Sequence, residues 1–278
     1  MRLDLHVHLK RSHSLEHLRS TLQKRRLDGI AITNFWNISY AKWVRERLPE
    51  YLILVGKEVV SSKGHILAIG IDENIPDFKS PRETIDRIHD QGGVAILPHP
   101  FLIYNSVVPA GENSSLPFDA VEIFNYRAAP FLWPNGLAAL RFAFTTLPRV
   151  ANSDAKDIVS IGSCYNDIPG TTAAEVLANL RAGQITRHTE MVWPTPRWAF
   201  NFLHLYLTHH KSSNCAICGA VLIRTVFKKT ITCEVCGKTR RRRIICPNGH
   251  GMCKACRTER DFKQENLRQY RSEMGLEI

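Results

Sequence analysis

No apolar run in this 278-residue chain approaches the ~18 residues that a membrane-spanning helix needs, so no membrane role is expected. A signal peptide is not expected either, because Asp4, His6 and His8 interrupt the apolar stretch that such a leader requires. Cysteine is absent from the first 163 residues, which excludes a disulfide framework through that part of the chain. A cytoplasmic location is therefore expected. Acidic residues are scarce after Ser212, where 14 lysines and arginines face 6 aspartates and glutamates. About +8 of the formal +11 charge therefore sits in the tail. Aromatics are scarce there too (Phe227, Phe262, Tyr270), which argues against extensive base stacking. Internal repeats are missing, and the basic run Arg240–Arg243 is the one biased segment.

What remains reads as a globular chain, 44% apolar and 23% charged, long enough for one large α/β domain and a small appendage. Candidate strands are Leu3–Val7, Gly29–Thr33, Leu52–Val59, His65–Ile71, Val94–Leu97, Ala120–Ile123 and Arg149–Ala151. Helix-start signals lie between them. Ser80-Pro-Arg-Glu83 offers a capping serine, a proline in the first turn and a glutamate at the third position, and Thr172-Ala-Ala-Glu175 repeats the capping-box pattern. Alternating strands and helices imply a mainly parallel sheet, either open or closed. The polar residues decide between these. His6 and His8 close the first strand, Thr33 and Asn34 the second, and Glu58 the third. His99 follows the fifth, Glu122 and Asn125 the sixth, and Asp154 the last. An open sheet gathers ligands at one switch point, whereas candidates at the end of nearly every strand belong to a closed barrel.

His6-x-His8 in a strand puts both imidazoles on one face, where they can share a divalent cation. Glu58, the proline-flanked His99 and Asn152-Ser-Asp154 converge on the same barrel mouth. At this point the sequence resembles the polymerase and histidinol phosphatase (PHP) superfamily. The likeness runs from the start to about residue 185. Its motifs are Asp4-Leu-His6-Val-His8, Gly29-Ile-Ala-Ile-Thr33, Gly56-Lys-Glu58, Gly64-His65-Ile-Leu, Gly92-Gly-Val-Ala-Ile-Leu-Pro-His99-Pro100, Val121-Glu122-Ile-Phe-Asn125-Tyr-Arg127 and Asn152-Ser-Asp154-Ala. The resemblance implies an α/β fold, a distorted (β/α)7 PHP barrel over residues 1–190 that hydrolyses phosphate esters with Mn, Zn or Fe. It further implies that His6, His8, Glu58 and Asp154 hold one metal. Glu58 would bridge to a second metal held also by His65 and His99.

Two departures stand out. Where the family reads Thr-Asp-His this chain has Thr33-Asn34-Phe35, and where it reads Ser-Asp-Ala-His this chain has Ser153-Asp154-Ala155-Lys156. The resemblance makes the missing histidines ligands of a third metal, so a barrel with two divalent metals is expected, with the Lys156 ammonium near the third position. His13 matches the remaining ligand of that metal and is assigned as a proton donor to the leaving group. Arg127 is assigned to the phosphate, which its planar fork can grip.

A helical connector is expected over residues 191–211 and a basic zinc-binding domain over 212–278. Seven of the eight cysteines lie there. Cys215-x-x-Cys218, fourteen residues, then Cys233-x-x-Cys236 has zinc-ribbon spacing, and Cys246, His250, Cys253 and Cys256 form a second set of four. Two structural zinc ions are expected. Sequential and interleaved pairing are both compatible with the spacing. The charge of the module points to a polyanion, so the expected partners are a phosphate-ester substrate and nucleic acid. The functional expectation is a nuclease or nucleotide phosphatase. The alternatives are a small-molecule phosphatase of the histidinol-phosphate type and a non-catalytic nucleic-acid-binding protein on a decayed barrel.

Overall fold

Short aliphatic runs alternate with capped helical stretches through the first 189 residues, and the sheet they build fixes where the polar strand ends meet. The computed structural model describes residues 1–9, 11–35, 37–102, 116–129, 132–189, 223–246, 248–251 and Cys256. Strands β1 (Arg2–Val7), β2 (Gly29–Ile32), β3 (Leu52–Val60), β4 (His65–Ile69), β5 (Val94–Leu97), β6 (Ala120–Asn125) and β7 (Arg149–Asn152) follow in order. Helices α1 (Leu15–Arg25), α2 (Ser39–Arg47), α3 (Pro81–His89) and α4 (Leu132–Arg141) separate most of them. Ser80 caps α3 as its sequence indicates, accepting from Glu83 N at 3.1 Å. Strand β8 (Cys164–Asp167), helix α5 (Ala173–Arg181, opened by the Thr172–Glu175 capping box) and strand β9 (Thr186–Thr189) complete the unit.

The strands form one sheet in the order β7-β6-β5-β4-β3-β2-β1-β8-β9. Runs β1-β2-β3 and β5-β6-β7 are parallel, whereas β4 is antiparallel to both neighbours. The reason is the link between β3 and β4, a turn of Ser61–Gly64 closed by Ser61 N donating to Gly64 O, far too short for a parallel crossover. The free edge of β1 closes the barrel by sharing itself out. Arg2 and Leu3 pair with β8, Val7 bridges to Ala155 beyond β7, and between them Leu5 N donates to Asn152 Oδ1 at 3.2 Å. Asn166 of β8 completes the seam through its side chain, bonded to both backbone groups of Ala151 at 2.9 and 2.8 Å. The expected barrel is thus present and nearly closed, with β8 and β9 added beyond the seven strands anticipated.

Strand residues sort by period two. Leu3, Leu5, Ala31, Leu54, Leu67, Val94, Ile96, Ala120 and Val150, drawn from all seven barrel strands, form an interior cluster with Val176, Leu177 and Leu180 of α5. Their neighbours Ile30, Ile32, Ile53, Ile66, Ala95 and Val121 pack outward with Leu18, Leu22, Val44, Ile85 and Ile88 of α1 to α3. On β1 the pattern switches. Leu5 is interior but Val7 belongs to the outer cluster, and a register irregularity lies between Asp4 and Val7. That slip turns His6 and His8 inward at the mouth.

The chain divides into residues 1–193 and 194–278. Within the second unit, β10 (Ile223–Thr232) and β11 (Thr239–Ile245) form an antiparallel ribbon. The expected connector helix, Cys215, Cys218 and Cys253 lie outside the described residues. No described helix is long and apolar enough to cross a membrane.

Candidate metal centre

Glu58 stands at the middle of the mouth, and the strand behind it is pinned. The next-door Lys57 side chain points the opposite way and is fully buried. Its ammonium donates to Ile75 O at 2.8 Å and to Asp77 Oδ2 at 2.7 Å, while Asp77 Oδ1 accepts from Val60 N at 2.8 Å. Glu58 itself is buried and faces two groups of donors, one with each oxygen. On one side, Oε2 lies 3.2 Å from His6 Nε2 and 2.9 Å from His8 Nε2. Asp154 Oδ1 is 3.5 Å from each of the same two nitrogens, which are 3.3 Å apart. A tetrahedron with ligand bonds of about 2.1 Å has edges of about 3.4 Å, so these spacings fit one ion. On the other side, Oε1 lies 2.6 Å from His65 Nδ1 and 3.2 Å from His99 Nε2.

Two observations show that this set suits a cation. Asp154 Oδ1 is buried and accepts no hydrogen bond, although the Lys156 ammonium lies 2.6 Å away. That oxygen is thus held by an ion pair alone and faces the His6 and His8 nitrogens at 3.5 Å. The facing imidazole nitrogens of His6 and His8 repel unless a proton or a metal lies between them. Backbone strain sits at the same place. His99 and Asp154 have positive φ of 26° and 51°, conformations that side chains other than glycine adopt at a cost and that cluster at working sites.

Glu122 is the functional residue that the sequence left unassigned. Its Oε1 lies 3.2 Å from His6 Nδ1 and accepts from Asn152 Nδ2 at 2.9 Å. Its Oε2 accepts from Asn125 Nδ2 and from His99 N, both at 2.9 Å. Glu122 stands close enough to His6 and His99 to share an ion with them, but a carboxylate already holding these donors is better suited to orient His6 and leave Nε2 as the lone-pair nitrogen. Asp4 performs a parallel task below the site. It accepts from Ser153 N at 3.1 Å and Gly162 N at 2.9 Å, which fixes the turn carrying Asp154.

Charge is distributed unevenly among these groups. Burial pulls His6 down, but Asp154, Glu122 and Glu58 together outweigh it and hold its pKa well above the ordinary imidazole value. Burial and the Lys156 ammonium push His8 down to about 4. Burial would raise Glu58, yet His65, His6 and Lys156 hold it well below the usual carboxylate range. A neutral His8 and an ionised Glu58 are the states in which these side chains bind metal.

The departures at the mouth have structural explanations. Asn34 is a clip: its Oδ1 accepts from Leu9 N at 2.9 Å and its Nδ2 donates to Leu9 O at 2.8 Å. Phe35 stacks on His8 with centroids 4.8 Å apart, and the Lys156 ammonium lies 5.0 Å above the Phe35 ring and 3.9 Å from Glu58 Oε2. The two replacements therefore meet each other. Arg127 is exposed on the 3₁₀ turn Tyr126–Ala128 after β6, and His13 is half-buried in the turn before α1. Among the described residues His13 joins none of the donor groups, nor do His89 and His188, which pair with Asp119 and Asp167.

No protein-family model matches the chain. Over 143 residues it is 33% identical to the uncharacterized protein MJ1587 of Methanocaldococcus jannaschii, covering 45% of this chain and 82% of that one. Its structure resembles a two-domain protein from Bacteroides vulgatus containing a predicted PHP-like metal-dependent phosphoesterase. The TM-score is 0.54 at 13% identity, over 73% of this chain and 69% of that one. It also resembles the lesion-specific endonuclease PfuEndoQ from Pyrococcus furiosus, with TM-score 0.51 at 13% identity over 79% of this chain and 68% of that one. A structure of Endonuclease Q with a 27-mer duplex carrying an abasic lesion at the active site matches with TM-score 0.50 at 13% identity, over 79% and 69% of the two chains. This chain belongs to the family of MJ1587 and carries the PHP-like barrel. The donor groups described above stand at the mouth of that PHP-like barrel. In the second unit Cys233, Cys236 and Cys256 form a further group able to hold a metal.

Proposed function

We propose that the protein is a metal-dependent phosphoesterase that acts on nucleic acid. The observation that carries the reading is the double-faced Glu58, with His6, His8 and Asp154 on one oxygen and His65 and His99 on the other. On this reading His6, His8, Glu58 and Asp154, and Glu58 with His65 and His99, would hold two divalent transition metals, Mn, Zn or Fe. Two such cations supply Lewis-acid charge for the phosphoryl oxygens and a water acidic enough to attack at neutral pH. The protein's own residues do the rest. Glu122 fixes the tautomer of His6. Lys156, about a third exposed at the mouth, adds a fixed positive charge for the phosphoryl group. Arg127 and His13 act toward substrate, as a phosphate clamp and as a proton donor to the leaving oxygen.

Nucleic acid is favoured over a small phosphate ester by the ribbon. Lys228, Lys229, Arg240, Arg241 and Arg242 are exposed there, and among the described residues none pairs with a carboxylate. Lys229 even stands opposite Arg242, a like-charge pair that costs stability unless an anion offsets it. The fold likeness to a lesion-specific endonuclease supports the same substrate class. The test is a panel of single-stranded DNA, lesion-bearing duplex DNA, RNA, nucleotides and sugar phosphates, assayed beside elemental analysis. Turnover of polynucleotide with about two barrel metals per chain is expected. Metal confined to the cysteine-rich tail would refute the enzyme, and turnover of sugar phosphates alone would refute the substrate.

A further inference from the structure

Among the described residues, the candidate ligands follow along the tail in the order Cys233, Cys236, Cys246, His250, Cys256. If zinc were bound sequentially, Cys256 would share an ion with Cys246 and His250. The geometry separates them. The sulfurs of Cys233, Cys236 and Cys256 lie within 4.8 Å of one another, and a tetrahedral zinc with bonds of about 2.3 Å needs sulfurs about 3.8 Å apart. Cys246 and His250 stand outside that group and near each other, with Cys246 Sγ 3.8 Å from His250 Nδ1.

The backbone shows how this arises. Cys233 N donates to Lys238 O at 3.0 Å and Gly237 N to Cys233 O at 2.8 Å, with Gly237 at φ 69°. This tight turn aims both thiols of Cys233-x-x-Cys236 at one point. A second turn follows β11, where Gly249 N donates to Cys246 O at 3.1 Å with Gly249 at φ 81°. The chain then comes back against the first turn: Glu234 N donates to Gly251 O at 2.9 Å, and Gly251 N donates to Glu234 Oε1 at 3.3 Å. A Cβ on Gly251 would lie 2.0 Å from Thr232 O, so only glycine permits the approach. The return at Gly251 brings Cys256 to the Cys233 turn and leaves Cys246 and His250 behind.

We infer that the tail binds its zinc ions in interleaved fashion: Cys233, Cys236 and Cys256 share one ion, and Cys246 and His250 serve the other. The ligands of the second site then lie inside the chain loop closed by the first. The inference is independent of what the barrel hydrolyses.

Loading the full-length protein with ¹¹³Cd and correlating each cadmium resonance with cysteine β-protons tests it on the native sequence. The β-protons of Cys233, Cys236 and Cys256 should couple to one resonance and those of Cys246 to another. Cys256 sharing a resonance with Cys246 would overturn the proposal, as would a tail that takes up no metal at these thiols. Zinc content gives a second reading. Cys233→Ser with Cys256→Ser should lose one equivalent, and Cys246→Ser with Cys256→Ser should lose two. Sequential pairing requires the reverse.

Discussion

The barrel mouth and the cysteine-rich tail gather metal ligands by opposite means. In the barrel the donors come from five places between His6 and Asp154, and a core already packed across seven strands delivers them. In the tail they come from one short stretch. Among its residues with described side chains, the buried hydrophobics are the cysteines Cys233 and Cys246, while Phe227 and Val235 are exposed. A site built on a core can lose its ion and keep its shape. A site that substitutes for a core cannot.

Removing metal should therefore divide the molecule. Each structural zinc contributes on the order of 10 kcal/mol to folding a module of this kind. With strong chelator, amides of β10 and β11 should lose hydrogen-exchange protection, while those of β1 to β7 keep theirs. A ribbon that stays protected without metal would mean that the tail has a core of its own, and the contrast would fail.

Glu58→Gln attacks the contrast from the barrel side. The amide keeps the shape of the side chain but loses the charge that faces both donor groups. Barrel metal should be lost and hydrolysis should fall at least ~10³-fold, since most of the transition-state stabilisation goes with the ions. Circular dichroism should show the barrel still folded, because its seam depends on Asn152, Asn166 and Ala155 rather than on Glu58. Unfolding of this variant would place the barrel in the same class as the tail.

How much of this was legible in the sequence follows from the same contrast. The strand-end donors announced the barrel, because His6 and Glu58 lie within two residues of a strand's end and His8, His99 and Asp154 follow one. The capping serine Ser80 and the capping box at Thr172 marked the starts of two helices. Strand β9 stayed hidden because Thr186–Thr189 carries no apolar alternation and is mostly exposed. The antiparallel β4 was visible only in the brevity of Ser61–Gly64. Glu122 was noticed at its strand end but not assigned, since a residue that positions a histidine looks in sequence like any buried acid. In the tail, spacing named the candidate ligands, but pairing depends on how the chain returns at Gly251, which spacing does not encode.

The metal-free barrel should also respond to acid through His8, by an amount on the order of 3 kcal/mol. Its folded pKa of about 4 lies below the unfolded value, so the unfolded state binds the extra proton and stability is lost as pH falls from about 6.5 to 4. His6, held above its unfolded value, gives its full contribution below about 6.5 and stays constant through this window. Asp4 runs the other way, because burial pushes its carboxyl up to about 6 and its contribution is lost as pH rises through that value. The two largely cancel in the wild-type curve. Urea melts of apoprotein at pH 4 and 6.5 should nonetheless differ between wild type and His8→Gln. An identical pH dependence in the two would show that His8 is not held neutral by burial.

The smallest effect is the most diagnostic of how the barrel prepares its site. Glu122 offers two oxygens to four donors: His6 Nδ1, Asn152 Nδ2, Asn125 Nδ2 and the His99 amide. Glutamine at this position has one oxygen, so two of the four must face an NH₂ group, and the His6 ring loses the partner that sets its tautomer. Removing such a partner weakens metal binding by about 10–100-fold. Competition with a fluorescent chelator should show that drop for the barrel ions of Glu122→Gln and none for the tail zinc. Unchanged barrel affinity would mean that packing alone orients His6, which would make the core and not the polar network the agent of preorganisation. A drop at both sites would mean that barrel and tail are coupled, and the separation drawn between them would be lost.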